Sequence, residues 1–178
     1  MQVEINPSEY TVLIVDDTIA NVLLLKVLIG NQKYRIVTAG NGMEALQAVE
    51  KESPDLILLD IMMPGMNGYE VAEKLKADPQ TQEIPIIFLT ALNSTNDIVK
   101  GFKTGASDYI SKPFNKEELL IRVTHQISLI AAKRLIASQM KELQSTIRGR
   151  DRLYSVIAHD LRSPMGSLKM IFNLLMAQ

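Results

Sequence analysis

Along residues 10–125, short runs of consecutive apolar residues alternate with stretches whose apolar positions recur every three and four residues. TVLIVDD (11–17), YRIVTA (34–39), DLILLD (55–60), IPIIFLT (84–90) and SDYIS (107–111) read as five strands. Between them, TIANVLLLKVLIG (18–30), GMEALQAVEK (42–51), YEVAEKLKA (69–77) and NDIVKGFKTG (96–105) read as helices, and a fifth helix starts in NKEELLIRV (115–123). Gly30 and Gly105 stand where a helix needs a terminator. Strict alternation of strand and helix predicts an α/β fold, a parallel sheet with helices on both faces. The first, third and fourth strands carry continuous apolar runs (VLIV, LILL and IPIIFL) rather than apolar residues at every second position, as burial on both faces requires. Right-handed crossovers leave few topologies. In such sheets, functional groups collect at the carboxyl ends of the strands.

After Pro113 the pattern changes. From Asn115 to Gln178 there is no strand signal, and the one proline is Pro164. Ile136, Met140, Leu143, Ile147, Arg150, Tyr154, Ile157, Leu161, Pro164, Leu168, Ile171 and Leu175 step by four and three. That is a heptad seam interrupted at Arg150 and Pro164, and it predicts a long α-helical coiled-coil extension. Leu120, Val123, Ile127 and Ile130 follow a different phase, which places a stutter near Ala131–Leu135. Gly149 marks a break or hinge. Three regions follow: 1–125, a helical linker over 126–151, and a last segment over 152–178.

Composition narrows the function classes. The 178 residues are 47% hydrophobic, which suits a packed core, and the net charge of −1 offers no field to attract nucleic acid or an acidic membrane. There is no cysteine, so disulfides and thiolate metal sites are excluded, in keeping with a reducing cytosol. MQVEINPSEY lacks the basic flank and apolar run of a signal peptide. VLLLKVLI is interrupted by Lys26, and MIFNLLM falls short of the ~18 apolar residues a membrane span needs. The expectation is a cytoplasmic chain with no nucleic-acid partner and no membrane segment of its own.

The candidate chemistry starts from LILLDIMMPGMNGYEV (56–71), where a greasy strand runs into a carboxylate, Asp60. Asp16 and Asp17 end the first strand. In the flavodoxin-like strand order 2-1-3-4-5, the first and third strands are neighbours, so the three carboxylates converge at one sheet edge. Like charges at short range raise pKa values or demand a cation, and a hard divalent ion with oxygen ligands, Mg²⁺, resolves the conflict. Thr90 ends the fourth strand and Lys112 follows the fifth. A metal, a cation and a hydroxyl around a carboxylate make a phosphoryl-transfer site. Asp60 would be the nucleophile, forming an acyl phosphate, with Mg²⁺ and Lys112 neutralising the transferring group. Gly65 and Gly68 would let the chain turn away tightly. A DD pair is also a common helix cap, and a lone KP is commonplace. The weight of the reading lies in all five residues falling at successive strand ends. The D-x-D-x-[TV] motif of the haloacid dehalogenase phosphohydrolases fails, because the acids of VDDTIAN are adjacent.

The motifs LIVDD, LLDIMMPGMNGYE, IPIIFLTA and GASDYISKPF make residues 10–125 resemble the receiver domain of two-component response regulators. The resemblance implies that Asp60 is the phosphoacceptor and that Asp16 and Asp17 are acidic metal-site residues. Asp17, Asp60 and the backbone carbonyl of Met62 would ligate Mg²⁺. Thr90 would hydrogen-bond the phosphoryl group, Tyr109 would be its aromatic switch partner, and Lys112–Pro113 would be a cis peptide. Met62, two residues past the acceptor, is an apolar side chain placed to shield the site from water. The implied partner is a phosphodonor histidine kinase or phosphotransfer protein.

Two histidines remain. His125, in RVTHQISL, reads as a surface or packing residue. His159 lies in YSVIAHDLRSPMGSL, rotated away from the seam residues Ile157 and Leu161, and so is expected to be exposed. Asp160 beside it can orient an imidazole, and Pro164 would bend the helix a turn later. HDLRSP resembles the H-box of histidine kinases, within the first helix of their dimerisation and phosphotransfer module, here over residues 152–178. By that resemblance His159 would be phosphorylated, Asp160 would be the adjacent general base, and Ser163 would hold the position linked to phosphatase activity. Neither a glycine-rich ATP lid nor an asparagine box is present, so this chain cannot be an active kinase alone. It looks like the front half of a hybrid protein, receiver first and kinase second, dimeric through its C-terminal helices. Phosphorylation of Asp60 would reshape the face formed by the 96–105 helix, the fifth strand and the fifth helix, and pass down the coiled coil to His159. The alternative is a non-catalytic adaptor whose tail is only a dimerisation coil.

Overall fold

A computed structural model of the chain describes residues 5–91 and 104–176, with side chains in the last helix described as far as residue 160. The chain divides into two compact units, Met1–Ala132 and Lys133–Gln178. The first opens with a 3-10 turn, Pro7–Glu9, followed by β1 Thr11–Val15, α1 Ile19–Gly30, β2 Arg35–Ala39, α2 Gly42–Glu52, β3 Leu56–Asp60, α3 Gly68–Ala77, β4 Ile86–Thr90 and β5 Asp108–Ser111. All strand pairs are parallel, in the order β2-β1-β3-β4-β5. This is the flavodoxin-like sheet that the apolar runs predict.

Period-two alternation within each strand divides the interior into two cores. Val12, Ile14, Leu56, Leu58, Ile87, Leu89 and Ile110 face one side, where they meet Leu25 and Ile29 of α1 and Leu119, Val123 and Ile127 of the C-terminal helix. Leu13, Val15, Ile57, Leu59, Ile86 and Phe88 face the other, against Ala45 and Val49 of α2 and Tyr69, Val71, Ala72 and Leu75 of α3. Local signals set the helix starts. Asn41 accepts from the Glu44 amide at 2.9 Å, and Asn67 and Glu70 form a reciprocal capping box. The predicted helix over 96–105 lies outside the described residues except for its last two. Thr104 and Gly105 form a turn, with Gly105 at φ +86°.

The C-terminal helix spans Lys116–Met176. In its first turns Leu119, Val123 and Ile127 are fully buried and Ala131 nearly so. The early apolar phase is therefore a core face of the first unit rather than a stuttered stretch of coil. The phase changes where that unit ends, at Ala132. The break expected at Gly149 is absent, since the helix runs through both Gly149 and Pro164. A glycine costs a helix only about 1 kcal/mol relative to alanine, too little to interrupt a long cooperative segment. Beyond the core, the seam residues Ile136, Met140, Leu143, Ile147, Tyr154 and Ile157 are between 40% and 62% exposed, so nothing among the described residues covers them. No helix among the described residues is long and apolar enough to cross a membrane.

Candidate functional site

Strand register assembles the site. Val15 is level with Leu59, which sets Asp16 and Asp60 side by side at the ends of β1 and β3. Asp60 is level with Leu89 and Thr90 with Ser111, so Thr90 and the residue after β5, Lys112, come to the same edge. Asp16, Asp60 and Thr90 are buried, at 1%, 3% and 4% exposure, while Asp17 is exposed. Buried charge at these positions is tolerable only where it is paired.

The pairing is extensive. The Lys112 ammonium donates to Asp16 Oδ2 at 2.8 Å and lies 2.8 Å from Asp60 Oδ2. Asp60 Oδ1 accepts from the Met62 amide at 3.3 Å. Asp16 Oδ1 accepts from the Thr18 amide at 2.9 Å and from Asn21 Nδ2 at 3.0 Å. Asn21, on the first turn of α1, was not singled out by sequence. Its signal is its position, five residues past Asp16 on the helix that Asp16 leads into. One oxygen from each of Asp16, Asp17 and Asp60 lies within 4.8 Å of the others. When all are ionised, three carboxylates against one ammonium leave two negative charges in excess, and a set of carboxylate oxygens suits a hard divalent cation.

Burial pushes the Asp60 carboxyl above its usual pKa; the hydrogen bond and charge of Lys112 oppose this, and the nearby Asp16 charge adds to it. Burial works against the charged form of Lys112 as well. Its hydrogen bonds to Asp16 and Asp60 and their charges outweigh that, and its pKa is raised.

The surrounding chain fixes this geometry. After Asp60 the loop turns through Gly65 at φ +79°, and the Gly68 amide returns to the Ile61 carbonyl at 3.0 Å. Lys112–Pro113 is cis, as expected. The Met62 side chain is 63% exposed. Tyr109 is half-buried on the α3 side of the sheet, with the Arg122 guanidinium 5.5 Å from its ring centre. Arg122 is itself held by Asp108 at 2.6 Å and Glu118 at 2.9 Å.

Sequence also left unmarked the outward face of α1. Ile19, Leu23, Leu24 and Val27 are 44–76% exposed, and Lys26 is the only charged side chain in the helix. This apolar surface begins next to Asp17 and Thr18. In the second unit His159 is exposed, with Nδ1 3.5 Å from Asp160 Oδ1, the outer limit of a hydrogen bond. The described site thus unites Asp16, Asp17, Asp60 and Lys112, with Thr90 at the same sheet edge; His159 and Asp160 belong to the second unit. His125 is exposed.

Comparison with known proteins agrees with this fold. The chain is 45% identical over 112 residues to the response regulator PleD of Caulobacter vibrioides, a match covering 63% of this chain and 25% of that protein. It is 43% identical over 112 residues to the DNA-binding response regulator MtrA of Mycolicibacterium paratuberculosis, covering 48% of that protein. The chain thus spans a quarter to about half the length of these curated relatives. Among solved structures, the signal receiver domain of a signal transduction histidine kinase from Syntrophus aciditrophicus superposes with a TM-score of 0.63 at 34% identity, covering 67% of this chain and 90% of that one. The chemotaxis protein CheY4 of Vibrio cholerae superposes with a TM-score of 0.61 at 31% identity, covering 66% and 98%. Residues 12–124 match the response regulator receiver domain, and the chain belongs to that family of two-component signalling proteins.

Proposed function

We propose that the receiver accepts a phosphoryl group on Asp60 from a histidine kinase or phosphotransfer protein. The observation that carries this reading is a buried carboxylate with one oxygen 2.8 Å from an ammonium and two further carboxylates beside it. An Asp60 oxygen attacks phosphorus, the bond to the donor breaks, and an acyl phosphate remains. Lys112 supplies fixed positive charge where the phosphoryl oxygens arrive, and Thr90 supplies a hydroxyl from the end of β4. Asp16, Asp17, Asp60 and the Met62 carbonyl are the proposed holders of Mg²⁺, which when bound neutralises charge on the transferring group. Asn21 and the Thr18 amide keep Asp16 in place.

The test is intact mass after incubation with acetyl phosphate and Mg²⁺. One added phosphoryl group on the native chain and none on Asp60→Ala is the expected result. An adduct of equal yield on Asp60→Ala would put the acceptor elsewhere.

The apolar face of α1 supports a protein donor over nucleic acid, since it offers burial rather than positive charge. Leu23→Asp with Val27→Asp is expected to slow phosphoryl uptake from the protein donor at least about tenfold, ~1.4 kcal/mol of lost docking. Uptake from acetyl phosphate should stay unchanged. Equal loss with both donors would show that the substitutions damage the site and not the docking.

The output end of the proposal is a cytoplasmic homodimer through residues 133–176. Thr90 and Tyr109 respond to the phosphoryl group, and the helix that begins beside β5 carries the change towards His159 and Asp160. The supports are sequence contiguity along one helix, an uncovered apolar seam and an exposed imidazole beside a carboxylate. His159 is the proposed phosphohistidine of an H-box segment. A chain extended by a kinase ATP-binding domain should label in ATP, and His159→Gln should abolish the acid-labile label.

A further inference from the structure

The seam between Ile136 and Ile157 contains one charged position, Arg150. With Met140, Ile147 and Tyr154 at the a positions, Leu143 and Arg150 fall at d. The six flanking e and g positions are Ala137, Gln139, Gln144, Thr146, Asp151 and Leu153, and only Asp151 carries a charge. In the structure Arg150 does not turn away from the seam. Its guanidinium lies 6.0 Å from the ring of Tyr154, the next seam residue, and its Nη2 donates to Asp151 at 3.1 Å.

Resting on the dimer reading above, we propose that the Arg150–Asp151 step selects a parallel, in-register pairing of this helix with a second copy of the chain. A d side chain in a parallel pair packs into a hole that includes the e residue of the facing helix. Each Arg150 then reaches Asp151 of the second copy, and two symmetric ion pairs close the layer. Turned antiparallel with its apolar layers matched, the seam sets Leu143 opposite Ile147 and Arg150 opposite Met140. Each guanidinium then meets a thioether, with no acid at the facing position. Burying an unmatched charge is costly, whereas the remaining layers, being apolar, favour neither direction. The layer discriminates by what it penalises. It is a specificity device, and a purely apolar residue at Arg150 would pair more tightly and less selectively.

The chain has no cysteine, so single cysteines report pairing directly. The experiment compares disulfide formation of full-length Leu143→Cys with itself and with Ile147→Cys, under mild oxidation, alongside light scattering of the unmodified chain. Parallel pairing predicts that Leu143→Cys links to itself at least about tenfold faster than to Ile147→Cys. Placing Arg150→Leu in both chains should reduce that ratio about tenfold, and Arg150→Asp with Asp151→Arg should restore it. A dimer that links 143 to 147 preferentially overturns the orientation and leaves the dimer standing. Unchanged preference in Arg150→Leu overturns the role of this layer. A monomer in light scattering overturns the dimer itself.

Discussion

Lys112→Ala is expected to lower the stability of the metal-free protein at neutral pH by about 3 kcal/mol, because removing one partner leaves buried charge uncompensated. The ammonium is the cation within hydrogen-bond distance of both Asp16 and Asp60, and both carboxylates are almost fully buried. The pH dependence follows from the two shifts. Asp60 has a folded pKa raised above 3.8, so the unfolded chain gives up this proton first, and its ionisation costs stability as pH rises from 3.8 through the raised value. Lys112 has a folded pKa raised above 10.5, so its contribution is complete below 10.5 and is lost as pH rises through the folded value. At pH 7 the ammonium therefore offsets the cost of ionising the buried Asp60 carboxyl. In Lys112→Ala the deficit should grow with pH above 3.8 as Asp60 ionises. Urea unfolding across that range, with and without Mg²⁺, reads this out. Bound metal should restore stability, by ~2.7 kcal/mol at a hundred times its dissociation constant. Adding Asp60→Asn should also recover part of the loss, by removing one of the stranded charges. A Lys112→Ala protein as stable as the native chain at pH 7 would mean that the triad does not depend on its cation.

Residues such as Asp60 were legible because two independent signals coincide at them. A continuous apolar strand announces burial, and a carboxylate at its end contradicts burial unless a site is there. The same logic exposes Asp16, and Lys112 is legible as the one cation placed by β5. Parallel topology then converts distance in sequence into proximity, which is why Lys112 and Asp16 meet across 96 residues. Where a segment is apolar all round, the logic fails. TIANVLLLKVLIG marks a helix but not which half of it is buried, and the half carrying Ile19, Leu23 and Val27 faces out. The C-terminal helix shows the converse. Its early phase, through Val123 and Ile127, looks like a displaced coiled coil, because an apolar stripe has the same period whether it meets a sheet or another helix. Gly149 misleads for a third reason. A local propensity is weak against the cooperativity of the turns on either side. Asn21 escapes notice because an amide on a first helical turn carries no charge to betray its role.

Gly68→Ala is expected to disable the site although Gly68 carries no chemistry. The residue opens α3, and an added methyl carbon would stand 2.3 Å from the Asp60 carbonyl oxygen, 2.9 Å from Ile61 Cα and 3.0 Å from the Asp60 carbonyl carbon. All three are backbone atoms, so no side chain can rotate to make room. The Gly68 amide also donates to the Ile61 carbonyl at 3.0 Å, which ties the helix start to the end of β3. Relief requires α3 and the Asp60 backbone to part, and overpacking of this kind costs roughly 1–3 kcal/mol or more. The larger effect is on the proposed acceptor. Displacing a reacting group by about 1 Å can cost on the order of a hundredfold in rate, and Asp60 is the residue being pushed. Gly65→Ala isolates the two effects. At φ +79° with open space around it, that position pays only left-handed strain, about 1–2 kcal/mol, and presses on nothing. The expected result is a loss of stability in both variants, with a large fall in the initial rate of acetyl-phosphate labelling confined to Gly68→Ala. Native labelling by Gly68→Ala would show that β3 yields without moving its carboxylate, and that the tightness of this turn serves the fold alone.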